Sequence, residues 1–227
     1  MFKNIVITLL CISVVTMYIR ELRLTHPFFK TSRVELTESG QKLVNYNPFD
    51  YVSTEQSIIK LVDGDHAIVV SGPISEDTYV KFKAALKPQT EVVIIASPGG
   101  ELEPSAKIAN LVATRQMATL VPKRAMCYSA CTMIFQAGIY RMAYSDSMFM
   151  YHSAKFVNEK TGEEKPDQAA TAVYWAYLML YGIDDRLLLR TNDMAIDYFV
   201  PAPLAAKYGI VNEIIPVDIP SKDVYIN

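Results

Sequence analysis

The sequence has 227 residues and a formal net charge of −2, with 22 basic and 24 acidic side chains. This length suits one domain plus a terminal segment, because a single hydrophobic core commonly serves about 100 to 200 residues. The balanced charge provides no basic stripe that could neutralise phosphate groups, which argues against nucleic acid as a partner.

The first part of the chain is an apolar segment flanked by basic residues. No charge occurs in residues 5–19, whereas Lys3 precedes them and Arg20 and Arg23 follow. As a helix, this stretch would extend roughly 22 Å, which is shorter than a bilayer core of roughly 30 Å. Because no clear Ala-x-Ala cleavage site follows, we predict that residues 1–20 form a membrane anchor or an uncleaved signal. A buried N-terminal helix is the alternative.

Residues 21–57 contain scattered Pro, Asn, Ser and Thr with weak periodicity, and we interpret them as a linker. Residues 58–227 have the pattern of one domain, in which apolar runs alternate with helical stretches. The apolar runs of strand length are residues 67–70, 92–96, 119–121, 148–151 and 213–216.

The helical stretches lie between these runs. Ser75 can cap a helix through Leu86, Pro104 begins one through about Gln116, and Ser129 opens one that Gly138 should end. Residues 167–190 form the longest helical candidate. Strands that alternate with helices indicate an α/β domain with buried, largely parallel strands.

A glycine turn follows the strand that ends at Ala96. Its sequence is Ser97-Pro98-Gly99-Gly100, and it falls at the carboxyl end of a strand, where ligands bind in α/β sheets. Two adjacent glycines let the backbone adopt positive φ and approach a substrate closely, so that amide N–H groups can face a developing negative charge. An ordinary turn without a binding role is the alternative.

A cluster of small residues that contains Cys127, Ser129, Ala130 and Cys131 precedes an apolar helical pattern. A serine at a helix start benefits from the positive end of the helix dipole, which stabilises nearby anionic charge. Ser129 is therefore a candidate nucleophile. Plain N-capping is the alternative, and it is the commoner role of a serine in this position.

Residues 61–216 resemble the proteolytic subunit of the Clp protease, and more closely its short exported or membrane-anchored relatives. The resemblance rests on three motifs that occur in the same order along the chain. They are Ser71-Gly72-Pro73-Ile74 with the glycine turn, Ser129-Ala130 with Gly138 nine positions beyond the serine, and Asp197-Tyr198-Phe199-Val200-Pro201-Ala202-Pro203-Leu204-Ala205-Ala206-Lys207-Tyr208-Gly209-Ile210-Val211. This resemblance implies an α/β fold of the ClpP/crotonase type, a superhelix of repeated ββα units, here preceded by an N-terminal hydrophobic helix.

The resemblance also implies a serine peptidase that works through a Ser-His-Asp triad and an acyl-enzyme. In this sequence Ser129 would be the nucleophile, His152 the general base and Asp197 the carboxylate that orients the base. The backbone N–H groups of Gly100 and Ala130 would form the oxyanion hole. These roles are consistent with the chemistry of the residues, because a neutral imidazole accepts the serine proton near pH 7.

The residues leave alternatives for two of these roles. The alternatives for the general base are the other two histidines, His26 in the linker and His66 at a strand start. Apart from the triad, the resemblance assigns Gly99 to substrate binding. The alternatives for the orienting carboxylate are Asp146, Asp167 and Asp193. We expect no cofactor and no metal. A metal site made by the two cysteines and His152 would lack an evident fourth ligand.

Cys127 and Cys131 flank the candidate nucleophile, where the cytoplasmic Clp enzymes usually have small residues. In the exported relatives a Cys-x-Ser-Ala-Cys pattern is familiar. A disulfide between the two is compatible with their spacing if Cys127 lies just outside the helix, and two packed thiols are the alternative.

The side of the membrane is indicated by two opposing features. A disulfide would fit an oxidising compartment, whereas the basic residues after the hydrophobic segment favour a cytoplasmic domain by the positive-inside rule. Together with the exported relatives, the cysteines lead us to expect a single-pass membrane protein with a periplasmic or other extracytoplasmic domain. Cytoplasmic placement is the alternative.

The expected partners are a peptide or protein substrate, the membrane through the N-terminal helix, and further copies of the chain. Residues 156–167 have the composition of a charged loop, and the helix after them does not resemble the handle that joins two rings of the Clp protease. This difference argues against a double-ring barrel and against an ATP-driven unfoldase as a partner.

Three other functions compete with this interpretation. A protease of the signal peptide peptidase class would use a lysine base, and no lysine occurs between Lys165 and Lys207, which leaves Lys107 and Lys123 as candidates. An acyl-CoA enzyme of the crotonase type would use the same oxyanion architecture without a serine nucleophile. A membrane-anchored binding or scaffold protein could keep the fold without turnover.

Overall fold

The structure is a computed structural model that describes residues 58–158, 161–190 and 197–217. The hydrophobic segment 1–20 and the linker 21–57 lie outside the described residues. Within the described ranges, none of the helices combines the length and the apolar character needed to cross a bilayer.

The described residues contain eleven strands in three sheets. They are β1 (Ile58–Val62), β2 (Ala67–Ser71), β3 (Val92–Ala96), β4 (Ala118–Val121), β5 (Met126–Tyr128), β6 (Arg141–Tyr144), β7 (Met148–Tyr151), β8 (Lys155–Val157), β9 (Glu164–Pro166), β10 (Tyr198–Pro201) and β11 (Glu213–Ile215). The five strands that the sequence predicts are confirmed, with ends that differ by at most one residue.

The main sheet has the strand order β1-β2-β3-β4-β6-β11. Only the β1–β2 pair is antiparallel, and the other four pairs are parallel. Every residue of β2 and β3 is buried, which explains their continuous apolar sequences. The predicted α/β domain with largely parallel strands is confirmed.

A second sheet carries the candidate catalytic segments. Its order is β10-β7-β5, with β5 parallel to β7 and β10 antiparallel to β7.

The prediction of a charged loop at residues 156–167 is wrong in one respect, because β8 and β9 form an exposed antiparallel hairpin there. Strands of three residues are too short to give a periodic signal.

Six α-helices pack around these sheets in the described part of the chain. They are α1 (Glu76–Ala85), α2 (Leu102–Thr114), α3 (Cys131–Gln136), α4 (Gln168–Leu180), α5 (Asp185–Arg190) and α6 (Ala202–Ala205). The ββα order recurs in β1-β2-α1 and in β4-β5-α3, as expected for the predicted superhelix. The long helix expected at residues 167–190 is two helices, because Gly182, with φ 85°, turns the chain between α4 and α5.

Two helix boundaries differ from the sequence prediction for physical reasons. Helix α2 begins at Leu102 rather than Pro104. Proline is tolerated within the first helical turn, because the N–H that it lacks would have no intrahelical partner there, so the helix can begin before it. Gly138 does not end α3 through a left-handed conformation. A Cβ there would lie 2.5 Å from Oγ1 of Thr119, so this glycine lets α3 pack closely on β4.

Arg141 ties the C-terminal part of the fold to β6. Its guanidinium donates hydrogen bonds to the backbone carbonyls of Gly138, Gly209 and Ile210 at 2.9 to 3.2 Å. The Arg141 backbone also exchanges two hydrogen bonds with Asn212. These bonds fix the segment that leads into β11.

Candidate active site

The glycine turn and the strand before Ser129 lie side by side. Ser97 donates its backbone N–H to the Met126 carbonyl at 2.9 Å, and Tyr128 donates to the Ser97 carbonyl at 3.0 Å. The Ser97 hydroxyl is fully buried and accepts the backbone N–H of Gly99 at 3.0 Å. The turn after β3 is therefore held directly beside the end of β5.

Both glycines of the turn are required by geometry. Gly99 and Gly100 have φ values of 97° and 147°, a conformation that L side chains rarely adopt. A Cβ at Gly99 would lie 2.8 Å from the Cβ of Ser129, and one at Gly100 would overlap the Ile74 backbone. The positive φ expected for the two glycines is confirmed, and the geometry adds that Gly99 packs directly against Ser129.

Ser129 lies between the end of β5 and the start of α3. Its φ is 52°, a left-handed conformation that costs a non-glycine residue on the order of 1–3 kcal/mol. Its backbone N–H donates to the Met150 carbonyl of β7 at 2.8 Å. The expectation that Ser129 opens the helix is wrong, because the N-cap is Ala130. Ser129 instead occupies a sharp strand-to-helix turn of the kind that presents nucleophiles.

His152 directly follows β7 and meets Ser129. Its Nε2 lies 2.7 Å from the Ser129 Oγ, and both residues are half-buried. Burial lowers the pKa of His152 from its ordinary value, and the Asp197 carboxylate is the largest opposing influence. The imidazole is therefore neutral near pH 7 and can accept a proton from the serine hydroxyl.

Asp197 lies next to His152 without a hydrogen bond to it. In the antiparallel pair of β10 and β7, Tyr198 faces Tyr151, so the same register continued by one residue sets Asp197 opposite His152. The Asp197 side chain is exposed. The Nδ1 atom of His152 is buried and has no hydrogen-bond partner within the described residues. The structure thus brings Ser129 and His152 into contact and Asp197 to an adjacent position.

The alternative carboxylates are occupied elsewhere or lie outside the described residues. Asp167 accepts the backbone N–H of Ala170 and caps α4, and Asp146 accepts the N–H of Arg124. Asp193 and His26 are outside the described ranges. His66 precedes β2, at the amino end of the main sheet, whereas the glycine turn lies at the carboxyl end of β3.

The two expected oxyanion donors have free N–H groups. The Gly100 and Ala130 N–H groups lack an acceptor in the described part of the chain. Gly100 lies between two hydrogen bonds with Ile74, and backbone alternation in such a bridge turns its own N–H away from Ile74. Ala130 is the N-cap of α3, and the N–H groups at the start of a helix have no intrahelical partner.

A disulfide joins Cys127 to Cys131, and the residues it encloses include Ser129. Both cysteines are fully buried, and their Cα atoms lie 5.3 Å apart. Cys127 lies in β5 and Cys131 is the first residue of α3, so the bond ties the two ends of the turn together. Sulfur atoms joined in this way cannot serve as thiolate ligands. Within the described residues, no group of three or more metal-binding side chains is found.

Sequence reasoning assigned no role to two residues that contact Ser129. Thr132 and Tyr174 are both buried and form hydrogen bonds with the Ser129 carbonyl. Their buried positions could be expected from the apolar faces of α3 and α4. Nothing in the sequence indicates that α4 packs under Ser129.

Comparisons with known proteins support the fold. Neither family profiles nor curated protein sequences contain a match to this chain. A variant of the 1510-N membrane-bound stomatin-specific protease matches with a TM-score of 0.53 and 16% identity, over 66% of this chain and 77% of that chain. The ClpP protease catalytic domain from Plasmodium falciparum matches with a TM-score of 0.55 and 18% identity, over 69% and 89%. Human enoyl coenzyme A hydratase domain-containing protein 3 matches with a TM-score of 0.50 and 13% identity, over 70% of each chain.

The chain has the ClpP/crotonase fold. Proteases and an enoyl coenzyme A hydratase domain-containing protein share this fold, so the fold by itself does not select a reaction. In this member of the fold, the distinguishing feature is the contact between a serine hydroxyl and a histidine beside the glycine turn.

Removal of the disulfide should destabilise the domain. Replacing both Cys127 and Cys131 by alanine opens a closed loop of five residues, and the chain-entropy estimate for such a loop is about 2 kcal/mol. For a domain of this size, that loss lowers the melting temperature by roughly 4–8 °C. Calorimetry on the double variant and on wild type measures the difference.

The control for this experiment is Cys11→Ala, which leaves both cysteines of the disulfide in place. Alkylation of native protein should modify Cys127 and Cys131 only after reduction. Free thiols at these positions in native protein, or an unchanged melting temperature in the double variant, would contradict the prediction.

Proposed function

We propose that this chain is a serine peptidase in which Ser129 attacks the substrate, His152 is the general base and Asp197 orients His152. The observation that carries the proposal is the 2.7 Å contact between the Ser129 Oγ and the His152 Nε2. This distance lies within the range for proton transfer between a nucleophile and its base. The free N–H groups beside it supply a site for the negative charge that develops during acyl transfer.

The proposed reaction has two steps. The Ser129 Oγ attacks the peptide carbonyl carbon while its proton passes to the His152 Nε2, and the carbonyl oxygen gains negative charge between the Gly100 and Ala130 N–H groups. His152 then gives this proton to the departing amine as the C–N bond breaks, which leaves an acyl group on Ser129. A water molecule then attacks the acyl carbon while His152 takes its proton; the bond between the acyl carbon and the Ser129 Oγ breaks, His152 returns the proton to that Oγ, and the acid is released.

Asp197 completes this scheme through the second nitrogen of the imidazole. For Nε2 to accept the serine proton, Nδ1 must carry a hydrogen, and a buried N–H without an acceptor costs on the order of 1–3 kcal/mol. Asp197 is positioned opposite His152 by the β10–β7 register, so rotation of its side chain would supply that acceptor. We propose that substrate binding or self-association brings the carboxylate to Nδ1.

The contacts of the site also bear on the competing enzymes. The base beside Ser129 is a histidine, whereas Lys107, one candidate for a lysine base, pairs with Glu76 and Glu103 on α1 and α2. This pairing argues against a mechanism of the signal peptide peptidase class. A crotonase-type reaction has no use for a serine hydroxyl held on a histidine, so the Ser129–His152 contact also favours the peptidase.

We propose that the peptidase is tethered to a membrane through residues 1–20, with its catalytic domain in an oxidising, extracytoplasmic compartment. The apolar sequence of that segment and the Cys127–Cys131 disulfide support this placement. One structural neighbour is a membrane-bound protease by its name. We also propose that the substrate is a peptide or protein and that the chain forms homo-oligomers, as the likeness to the ClpP catalytic domain suggests.

Peptide hydrolysis tests the nucleophile directly. Wild-type protein should cleave members of a library of internally quenched fluorogenic peptides, and Ser129→Ala should lower kcat on the order of 10⁴-fold or more. Ser105→Ala is the matched control, because the Ser105 hydroxyl donates to the carbonyl of Glu101, the N-cap residue of α2. Hydrolysis that survives in Ser129→Ala would contradict the assignment. A wild-type protein that folds but cleaves no peptide would favour the scaffold function.

The pH dependence tests the base. Activity needs neutral His152, and burial lowers the pKa of this residue below its ordinary 6.5, so kcat/KM should fall on the acid side with a midpoint below 6.5. Asp197 raises this pKa and Lys155 lowers it. At low ionic strength, Asp197→Asn should therefore move the midpoint to lower pH, and Lys155→Met should move it to higher pH.

Lys165→Met is the control for the pH experiment, because Lys165 pairs with Glu163 on the exposed hairpin and does not influence the pKa of His152. Its midpoint should equal that of wild type. Shifts of the same sign in Asp197→Asn and Lys155→Met would show that a group other than His152 controls the acid limb.

A further inference from the structure

The carbonyl oxygen of Ser129 is held by an unusual number of donors. It accepts the backbone N–H of Thr132 at 2.9 Å and the Thr132 hydroxyl at 2.7 Å. The Tyr174 hydroxyl lies 3.2 Å from the same oxygen and 2.6 Å from the Thr132 hydroxyl. Thr132 is fully buried and Tyr174 is 2% exposed, so water does not compete for these bonds.

The two hydroxyl groups carry one proton each, and the short distances define how these protons are used. Thr132 donates its proton to the Ser129 carbonyl at 2.7 Å, so Tyr174 is the donor both in its 2.6 Å contact with the Thr132 Oγ1 and in its longer 3.2 Å contact with the Ser129 carbonyl. Hydroxyl chains of this kind polarise one another in a low-dielectric interior. Burial also raises the pKa of Tyr174 well above its ordinary value, so the phenol remains a donor across the working pH range.

The Ser129 carbonyl belongs to the same peptide unit as the Ala130 N–H. A peptide unit is planar, and in the trans form its C=O and N–H point in opposite directions. Fixing the oxygen therefore fixes the direction of the N–H on the other side of the plane. That N–H is one of the two free donors beside the Ser129 hydroxyl.

Helix α4 also supports the segment after the base. The Thr171 hydroxyl accepts the backbone N–H of Ala154 at 2.9 Å, two residues beyond His152. Thr171 and Tyr174 lie three positions apart and are both buried, so they share one face of α4. One face of this helix thus contacts both segments that carry the proposed nucleophile and base.

We propose that Tyr174, acting through Thr132, is a positioning residue that aims the Ala130 N–H at the oxyanion. This role rests on the proposed peptidase function and deepens it. Tyr174 does not touch the substrate. It sets the orientation of a donor that strengthens its bond as negative charge develops, so its loss should lower kcat more than it changes KM.

Kinetics of hydroxyl-deletion variants test this proposal. Tyr174→Phe keeps the ring and removes the donor, and we expect about a tenfold loss of kcat with KM within twofold of wild type, less than the 10²–10³-fold cost of removing an oxyanion donor entirely. Thr132→Val, which removes the second hydroxyl without changing shape, should show a similar loss. Thr132→Ser keeps the hydroxyl and should retain activity close to wild type.

A peptide boronate inhibitor distinguishes positioning from general loss of structure. Its tetrahedral adduct with the serine places a hydroxyl or oxyanion at the position of the developing charge, so its affinity should fall about as much as kcat in Tyr174→Phe. The acid limb of the pH profile should stay in place, because His152 is untouched. Tyr177→Phe, on the same helix with its hydroxyl on Asn110, is the matched control and should behave as wild type.

Three outcomes would overturn the proposal, and they are distinguishable. If wild type and Tyr174→Phe have equal kcat and equal boronate affinity, the positioning role is wrong and the peptidase stands. If wild type shows neither hydrolysis nor boronate binding, the peptidase function itself fails and the positioning role fails with it. A shifted acid limb in Tyr174→Phe would also overturn the proposal, since it would show that Tyr174 acts on the base.

Discussion

The parallel pairing of β5 with β7 is the interaction on which the site depends. It sets Tyr128 opposite Met150, and the backbone bond from Ser129 to the Met150 carbonyl extends the pair by one residue. The chain then leaves β5 through a left-handed turn, while β7 continues to His152. Because both strands end at the same edge of the sheet, the serine and the histidine meet there although 23 positions separate them.

The left-handed backbone at Ser129 is stabilised from three directions. The glycine turn packs against it, the Cys127–Cys131 disulfide joins the strand before it to the helix after it, and the hydroxyls of Thr132 and Tyr174 hold its carbonyl. Strained conformations persist only where the surrounding structure over-determines them. In the proposed reaction, this strain presents the hydroxyl and leaves the Ala130 N–H free at the same time.

The fold and half of the site follow from sequence patterns that have local causes. Continuous apolar runs identify β2 and β3, and the paired glycines after β3 mark a close backbone approach because no other residue fits there. Ser129 is suggested by the apolar helical pattern after it and by the resemblance to the Clp protease, and His152 by the strand before it and by the scarcity of histidines in this chain. The short strands β5, β8 and β9 give no such signal, so the pairing that joins the two residues is invisible before the structure is known.

The remainder depends on contacts between distant segments. Nothing near Tyr174 in the sequence links it to Ser129, since their contact arises only when α4 packs under α3. The position of the Asp197 carboxylate also depends on distant contacts. A sequence motif suggests the residue, and the β10–β7 register sets it opposite His152. Its carboxylate is nevertheless not hydrogen-bonded to the imidazole. Side-chain rotation of an exposed carboxylate is not encoded in the local sequence pattern, whereas strand register largely is.

The central claim is that Ser129 is an activated nucleophile, and mapping a covalent adduct tests it most directly. Wild-type protein treated with a fluorophosphonate should gain the mass of one phosphonyl group, and fragmentation of the digested protein should place that group on the Ser129 Oγ. His152→Ala should react far more slowly, because the serine loses its base. A phosphonyl group on another serine, an equal rate in His152→Ala, or no adduct on folded wild-type protein would contradict the account.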